Sequence, residues 1–204
     1  MDASMWVAKT GLSAQQTRMT VIANNLANVN TVGFKKDRAM FEDLLYQRIV
    51  QAGAQADVNS ETPTGLMLGT GTRVVATEKV HRQGNMISTE NSLDVAIAGS
   101  GFFAVQQADG TTAFTRDGSL KLSRDGEIVT ASGESLIPAI VIPQDASSVS
   151  IGRDGTVTVE LAAGGGAANV GQFQLTQFVN PAGLTPLGRN LFAQTNASGD
   201  PIVG

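Results

Sequence analysis

Met5, Leu12, Met19 and Leu26 recur every seven residues near the N-terminus. Ala8, Ile22 and Val29 continue a companion set three positions later, with Gln15 as its one polar member. A seven-residue apolar period is the repeat of a helix that meets another helix along a narrow stripe. It predicts one helix over residues 3–29. Two arrangements satisfy such a stripe: a helix pair, or an amphipathic helix lying on its own domain. The remaining residues, to Gly204, offer no second long helix with this period. The seam Met5, Ala8, Leu12, Met19, Ile22, Leu26 and Val29 is therefore expected to be an assembly interface. Its partner would come from another chain or from a segment beyond Gly204.

The end of this helix, "VIANNLANVNTVGFKK" (21–36), carries Asn24, Asn25, Asn28 and Asn30. Asparagine weakens helices because its amide competes for backbone hydrogen bonds. Asn24 and Asn28 are four apart and share a face bordering the seam. Their amides are expected to bond to neighbouring chains or to the helix exit and so fix register, as a buried polar residue does in a coiled coil. Asn25 belongs to the same junction, and Asn30 and Gly33 are expected to set the turn that leads out of it. On this reading the helix gains its order on docking.

Three regions follow: residues 1–36 as helix and junction, 37–72 as a connector, and 73–204 as a body. "DRAMFEDLLYQRIV" (37–50) fits a short second helix with Phe41, Leu44, Leu45 and Ile49 inward, or an extended segment. Residues 51–72 are polar and Gly-rich and contain Pro63, which is long for a connection inside a compact domain. They are expected to form an extended arm that packs outside the core.

From Thr72 the apolar period changes to two, in runs such as "RVVATEKV", "LDVAIA", "FFAVQQ", "SVSIG" and "TVTVEL". Asp109–Gly110, Asp117–Gly118, Asp125–Gly126 and Asp154–Gly155 fall between such runs and predict hairpin turns. Glycine at 23 of 204 residues is well above the usual ~7% and fits a turn-rich body. "AAGGGAAN" (162–169) reads as a hairpin tip. The expected fold is mainly β with an N-terminal α-helix: a β-sandwich or small barrel of hairpins, a heptad-patterned helix and an extended arm.

Chemistry is scarce. A formal charge of −4 argues against a nucleic-acid partner. Cysteine is absent and His81 is the only histidine, so thiolate metal sites are excluded and a zinc site nearly so. "EKVHRQGN" gives His81 no adjacent nucleophile for acid–base work. "GSGFFA" (99–104) has the outline of a dinucleotide loop, but "FFAVQQ" after it reads as a strand where a helix is required. The Arg-Asp-Gly triplets at 116–118, 124–126 and 153–155 are explained as turns. No catalytic residue, cofactor, metal or small-molecule substrate is expected. No stretch approaches the ~18 apolar residues that cross a bilayer. The N-terminus also lacks the basic and apolar regions of a cleaved secretory signal.

"GLSAQQTRMTVIANNLANVNTVGFKK" (11–36), "FEDLLYQ" (41–47), "LGTGTRVVATEKVHRQGN" (68–85), "LDVAIAGSGFF" (93–103) and "AFTRDGSLKLSRDGEIVTASG" (113–133) together identify the chain. It resembles the bacterial flagellar axial proteins of the rod and hook, and among them the distal-rod branch. The connector "YQRIVQAGAQADVNSETPTGLMLGTGT" (46–72) is similar to the extension of that branch. The resemblance spans essentially the whole chain.

It implies a self-assembling structural subunit of the basal body, stacked helically into the rigid shaft that carries torque from motor to hook. Its neighbours would be copies of itself, other rod and hook subunits and the surrounding ring proteins. Terminal helices would pair to form the inner tube, with β domains outside. Subunits would leave through a flagellum-specific type III export apparatus, without a cleaved signal, and the rod would cross the periplasm. Family members end in a second heptad helix, so these residues are expected to be a piece of a longer chain. Other readings are a hook or proximal-rod subunit, or a non-catalytic β binding module on a helical stalk.

Overall fold

The computed structural model describes residues 3–53, 55–57, 60–61, 64–162 and 166–204. The chain forms two compact units. One comprises the N-terminal residues through Val29 with Lys36–Val80, and the other comprises Asn30–Lys35 with His81–Gly204.

The first unit is a helix on a ribbon. Helix α1 (Ala3–Ala27) is followed by β1 (Asp37–Asp43), β2 (Tyr46–Val50), β3 (Gln55–Asp57), β4 (Ser60–Glu61), β5 (Leu66–Gly69) and β6 (Thr72–Lys79). These strands nest: β1 pairs with β6, β2 with β5 and β3 with β4, all antiparallel. Residues 37–79 thus make one long hairpin, interrupted twice. The second helix considered for 37–50 does not form, and the extended alternative does.

Long-range pairing explains that outcome. Asp37 faces Lys79, Arg38 faces Glu78 and Glu42 faces Arg73 across the β1–β6 ladder. All three are ion pairs, at 2.9 Å for Lys79–Asp37 and 2.8 Å for Arg38–Glu78. The two more exposed pairs, Arg38–Glu78 and Arg73–Glu42, contribute at most about 1 kcal/mol each. Placed directly opposite, however, they favour one register over its neighbours. Pro63, noted in the sequence of this segment, lies outside the described residues.

The second unit is a β-sandwich. Strands β7 (Phe102–Gln106), β8 (Thr112–Thr115), β9 (Lys121–Leu122), β10 (Ile128–Val129) and β11 (Ser135–Ile137) belong to one sheet. A separate three-stranded sheet holds β12 (Ala146–Ile151), β13 (Thr156–Leu161) and β14 (Ala167–Gln172). The first sheet is completed by β15 (Leu175–Gln177), β16 (Thr185–Gly188), β17 (Leu191–Ala193) and β18 (Ile202–Val203). Its order runs β16-β17-β8-β7-β11-β10-β9, with β15 on β7 and β18 on β15.

Strand β7 shows why the sheet has two cores. Phe102, Phe103, Ala104 and Val105 are all buried, so this strand is covered on both faces. Phe103 and Val105 join Ile128, Leu136, Val157 and Val159 in the core between the two sheets. Phe102 and Ala104 point the other way, into a smaller cluster with Phe114, Phe178, Leu184 and Phe192. The Phe114 and Phe178 rings meet edge-to-face with centroids 4.8 Å apart. An apolar run without alternation is the sequence trace of this double burial.

Candidate assembly surface

Helix α1 divides its two sides by chemistry. Toward β1 and β6 it presents Thr10, Ala14, Thr17, Val21 and Asn25, all buried or half-buried. Small side chains at this spacing let a helix lie close to a ribbon. Gly71, with φ of +122°, brings the start of β6 so near that a Cβ there would collide with Thr10 Oγ1. The same oxygen bonds the Val7 carbonyl at 2.8 Å and receives a long contact from the Thr72 N–H at 3.4 Å.

The heptad seam lies on the opposite side of the helix. Met5, Ala8, Leu12, Met19, Ile22, Leu26 and Val29 are all exposed, Leu12 at 73% and Leu26 at 70%. The helix therefore docks on its own chain through its small and polar side, leaving the apolar stripe uncovered. Trp6, at 48% exposure, extends the uncovered surface, with Lys9 Nζ 5.5 Å from its ring centroid.

The asparagines act locally. Asn28 Nδ2 donates to Asn24 O at 3.0 Å and to Asn24 Oδ1 at 3.1 Å. Asn25, one of the junction residues read from the sequence, reaches β1. Its Nδ2 donates to Asp37 O at 2.8 Å, and its Oδ1 accepts the Asp37 N–H at 2.8 Å. Asn30 is exposed in the turn after the helix, where the Val29 N–H donates to Leu26 O at 3.2 Å.

Residues 30–35 pack within the β-sandwich unit. Gly33 adopts φ of +73°, and a Cβ there would lie 2.8 Å from Asp117 N. Asn190 Nδ2 donates to Val32 O at 2.8 Å, and Lys35 Nζ donates to Arg82 O at 2.8 Å. Burial pulls the Lys35 ammonium below its usual range, and the Arg116 guanidinium lowers it further. Arg116 bonds the Gly99 carbonyl and Gln83 Oε1 while its guanidinium lies over the Phe102 ring. His81 stacks edge-on against Phe102 and Phe192, as part of the aromatic packing.

Three Asp-Gly pairs share one turn. The Gly110, Gly126 and Gly155 N–H groups donate to Gln107, Ser123 and Gly152 carbonyls, and each glycine has φ of +82°. The partner aspartates Asp109, Asp125 and Asp154 do not adopt positive φ. Each loop is therefore a three-residue type I turn closed by one left-handed glycine, rather than a two-residue turn. The Thr111 and Thr156 hydroxyls, and then their N–H groups, donate to Asp109 and Asp154 and hold both carboxyls below the usual range. Thr130–Glu134 repeats the same backbone pattern around Gly133, a turn without the Asp-Gly signal.

Asp117–Gly118 differs. Strands β8 and β9 on either side of it do not pair with each other, and Gly118 lacks positive φ. Glycine is needed there because a Cβ would overlap the Val95 carbonyl oxygen. The Val95 N–H donates to Gly118 O at 2.9 Å, and Asp94 bridges Ser119. This position is a close backbone approach, not a hairpin turn. Of the tip read at 162–169, residues 167–169 belong instead to β14 and pair with β13, and residues 163–165 lie outside the described residues.

The arm offers a second uncovered apolar surface. Tyr46, Ile49, Val50, Leu66, Met67 and Leu68 on the β2–β5 ribbon are all exposed, although a ribbon has only two faces to hide them. Leu45, at its base, is 88% exposed.

The dinucleotide-like loop outlined in the sequence does not take that form. In "GSGFFA", Gly101 packs on Leu175 and the motif runs into β7, with no helix to face a phosphate. Among the described residues, no group of His, Cys, Asp and Glu could hold a metal ion. Among the described residues, no helix is long and apolar enough to cross a membrane.

Comparison with known proteins matches both ends of this description. Residues 5–35 match the family described as flagella basal body rod protein, and residues 96–159 match the flagellar hook protein FlgE/F/G D1 domain. The flagellar basal-body rod protein FlgG of Buchnera aphidicola subsp. Schizaphis graminum is 52% identical over 202 residues, 99% of this chain and 78% of that protein. FlgG of Borreliella burgdorferi is 44% identical over 206 residues, again covering 78% of its length. The flagellar hook protein FlgE of Helicobacter pylori is 39% identical over 131 residues, 64% of this chain but 18% of that protein. The chain belongs to the flagellar basal-body rod protein family, a structural and non-enzymatic family of the bacterial flagellum.

Proposed function

We propose that this chain is a self-assembling subunit of the distal rod, the part of the flagellar shaft that passes torque from motor to hook. The observation that carries the reading is the uncovered seam of Met5, Ala8, Leu12, Met19, Ile22, Leu26 and Val29. Its occupant is the corresponding helical surface of neighbouring copies. Burying each large seam side chain between subunits would contribute roughly 1.5–3 kcal/mol. Repeated along a filament, that suffices for a rigid core.

The uncovered β2–β5 ribbon fits an arm that wedges between neighbouring subunits and stiffens the tube. An isolated two-stranded ribbon is marginal in water, so its stability would come from the neighbour it touches. Asn24, Asn28 and Asn30 would take a supporting part at the helix exit. Rod and hook subunits and the ring proteins around the rod are the further partners of this reading. Type III export without a cleaved signal would deliver it to the periplasm-spanning rod.

The test is Leu12→Asp and Leu26→Asp in cells. Both proteins should keep a folded β-sandwich by circular dichroism yet fail to enter rods, leaving the cells non-motile. Normal swimming with either variant would overturn the seam as the assembly interface.

A further inference from the structure

Methionine is kept out of the cores of this chain. Of the six methionines in the sequence, the five described, Met5, Met19, Met40, Met67 and Met86, are all exposed. Neither buried cluster contains one. That is unusual for a side chain whose flexibility suits it to filling gaps in a core. Cysteine is absent, so these thioethers carry all the oxidisable sulfur of the described residues.

Two of the five stand on the seam, Met5 at 63% exposure and Met19 at 66%. They alternate with Leu12 and Leu26 and lie two heptads apart, about 21 Å along the helix. Each therefore serves a different layer of the stripe. Apart from Gln15, the positions of that period offer no side-chain hydrogen-bond donor.

A peroxide oxidises such a thioether by two electrons. The O–O bond breaks, one oxygen stays on sulfur as the sulfoxide, and the other leaves as water. The product is polar, and a thiol-dependent reductase returns it to the thioether. Burying a sulfoxide against a stripe without donors leaves its oxygen unsatisfied, which is costly. The apolar contact of the parent side chain is lost as well.

We propose that Met5 and Met19 are modification sites, at which oxidation by a peroxide reversibly withdraws the subunit from assembly. Both sulfurs react while the seam is uncovered and are shielded once neighbours cover it. The inference rests on the seam reading, but the Leu12→Asp and Leu26→Asp variants test that reading without touching sulfur.

Two measurements test the proposal, both on the full-length subunit. First, the purified free subunit and isolated basal bodies are treated with hydrogen peroxide, and sulfoxide is followed by peptide mass spectrometry. Met5 and Met19 should oxidise at least tenfold more slowly in basal bodies than in the free subunit. Equal rates would overturn the proposal. Second, Met5→Gln and Met19→Gln, which mimic the polarity of the sulfoxide at similar length, should lower the amount of subunit recovered in rods at least tenfold. Met5→Leu and Met19→Leu should assemble as the parent does. Parent-like assembly of both glutamine variants would overturn the proposal while leaving the seam intact if Leu12→Asp still fails. Equal failure of the leucine variants would also overturn it, because side-chain shape rather than polarity would then be the cause.

Discussion

A Cβ added to Gly33 would sit 2.8 Å from the backbone nitrogen of Asp117 and 2.9 Å from its Cα. Backbone presses on backbone here, so neither side has a flexible atom that can yield. Gly33 also has φ of +73°, which adds a conformational requirement to the steric one.

Gly33→Ala should therefore lower the melting temperature of the β-sandwich unit more than Gly110→Ala does. At Gly110 the φ is +82° but nothing lies within 4 Å of a Cβ. The left-handed backbone costs about 1–2 kcal/mol at either site. Displacing Asp117 adds about 1–3 kcal/mol at Gly33 alone. Equal losses would show that the approach to Asp117 relaxes freely.

Leu12→Ala and Leu26→Ala should leave monomer stability within about 0.5 kcal/mol of the parent, because both side chains are exposed. Ala14, on the docking side, is buried, and Ala14→Glu should release helix protection in the same monomer. Chemical unfolding followed by helix circular dichroism compares the three. A large monomer penalty for Leu12→Ala would mean that the seam is already covered.

Truncation in the core between the sheets should be costly. Ile128 and Val157 are fully buried there. Ile128→Ala should destabilise the sandwich by about 2–5 kcal/mol. Denaturant titration of the β signal measures it; a change below 1 kcal/mol would require the site to collapse around the void.

Glu134 gives the sandwich a dependence on acid. Burial acts to raise its carboxyl, but bonds from Thr130, from its own backbone N–H and from Ser132, with the charge of Arg189, prevail and hold it low. A carboxyl held lower in the folded state than in the unfolded chain stabilises the fold above its unfolded value. That contribution is lost as pH falls through the lower folded value. Glu134→Gln should flatten the acid limb of a stability–pH curve while changing little near neutrality beyond a constant offset. An acid limb of unchanged steepness would exclude this role.

Deleting residues 51–68 should leave assembly possible but make the tube more flexible or curved. Electron microscopy of rods built from the shortened chain reads the outcome. A straight, stiff tube would remove the arm from the account of stiffness.

Much of the fold was legible because its signals are local. The helix announced itself by period, and Asp109–Gly110, Asp125–Gly126 and Asp154–Gly155 by turn chemistry, though the turn type differs from the one read. What stayed hidden depends on distant partners. Residues 37–50 carry apolar spacing that suits a helix, and only the charges of β6, some thirty or more residues on, favour the ribbon. The seam was visible, but which side of α1 would meet its own chain was not, because Thr10, Ala14 and Asn25 carry little hydropathy signal. Gly118 resembled its three neighbours in sequence, yet serves a contact with Val95 that no short pattern encodes.

The bond from Asn190 to the Val32 carbonyl spans 158 positions, whereas Asn25 reaches Asp37 across 12. Bringing chain ends together costs roughly (3/2)RT ln n, about 4.5 kcal/mol for the longer closure and about 2.2 for the shorter. The helix and its ribbon can therefore close early, from the first eighty residues alone. The Asn190–Val32 bond inside the sandwich unit is completed last, after almost the whole chain is in place. For a subunit emerging N-terminus first, the piece that carries the seam matures before the piece that fixes its exit, and folding order follows chain order.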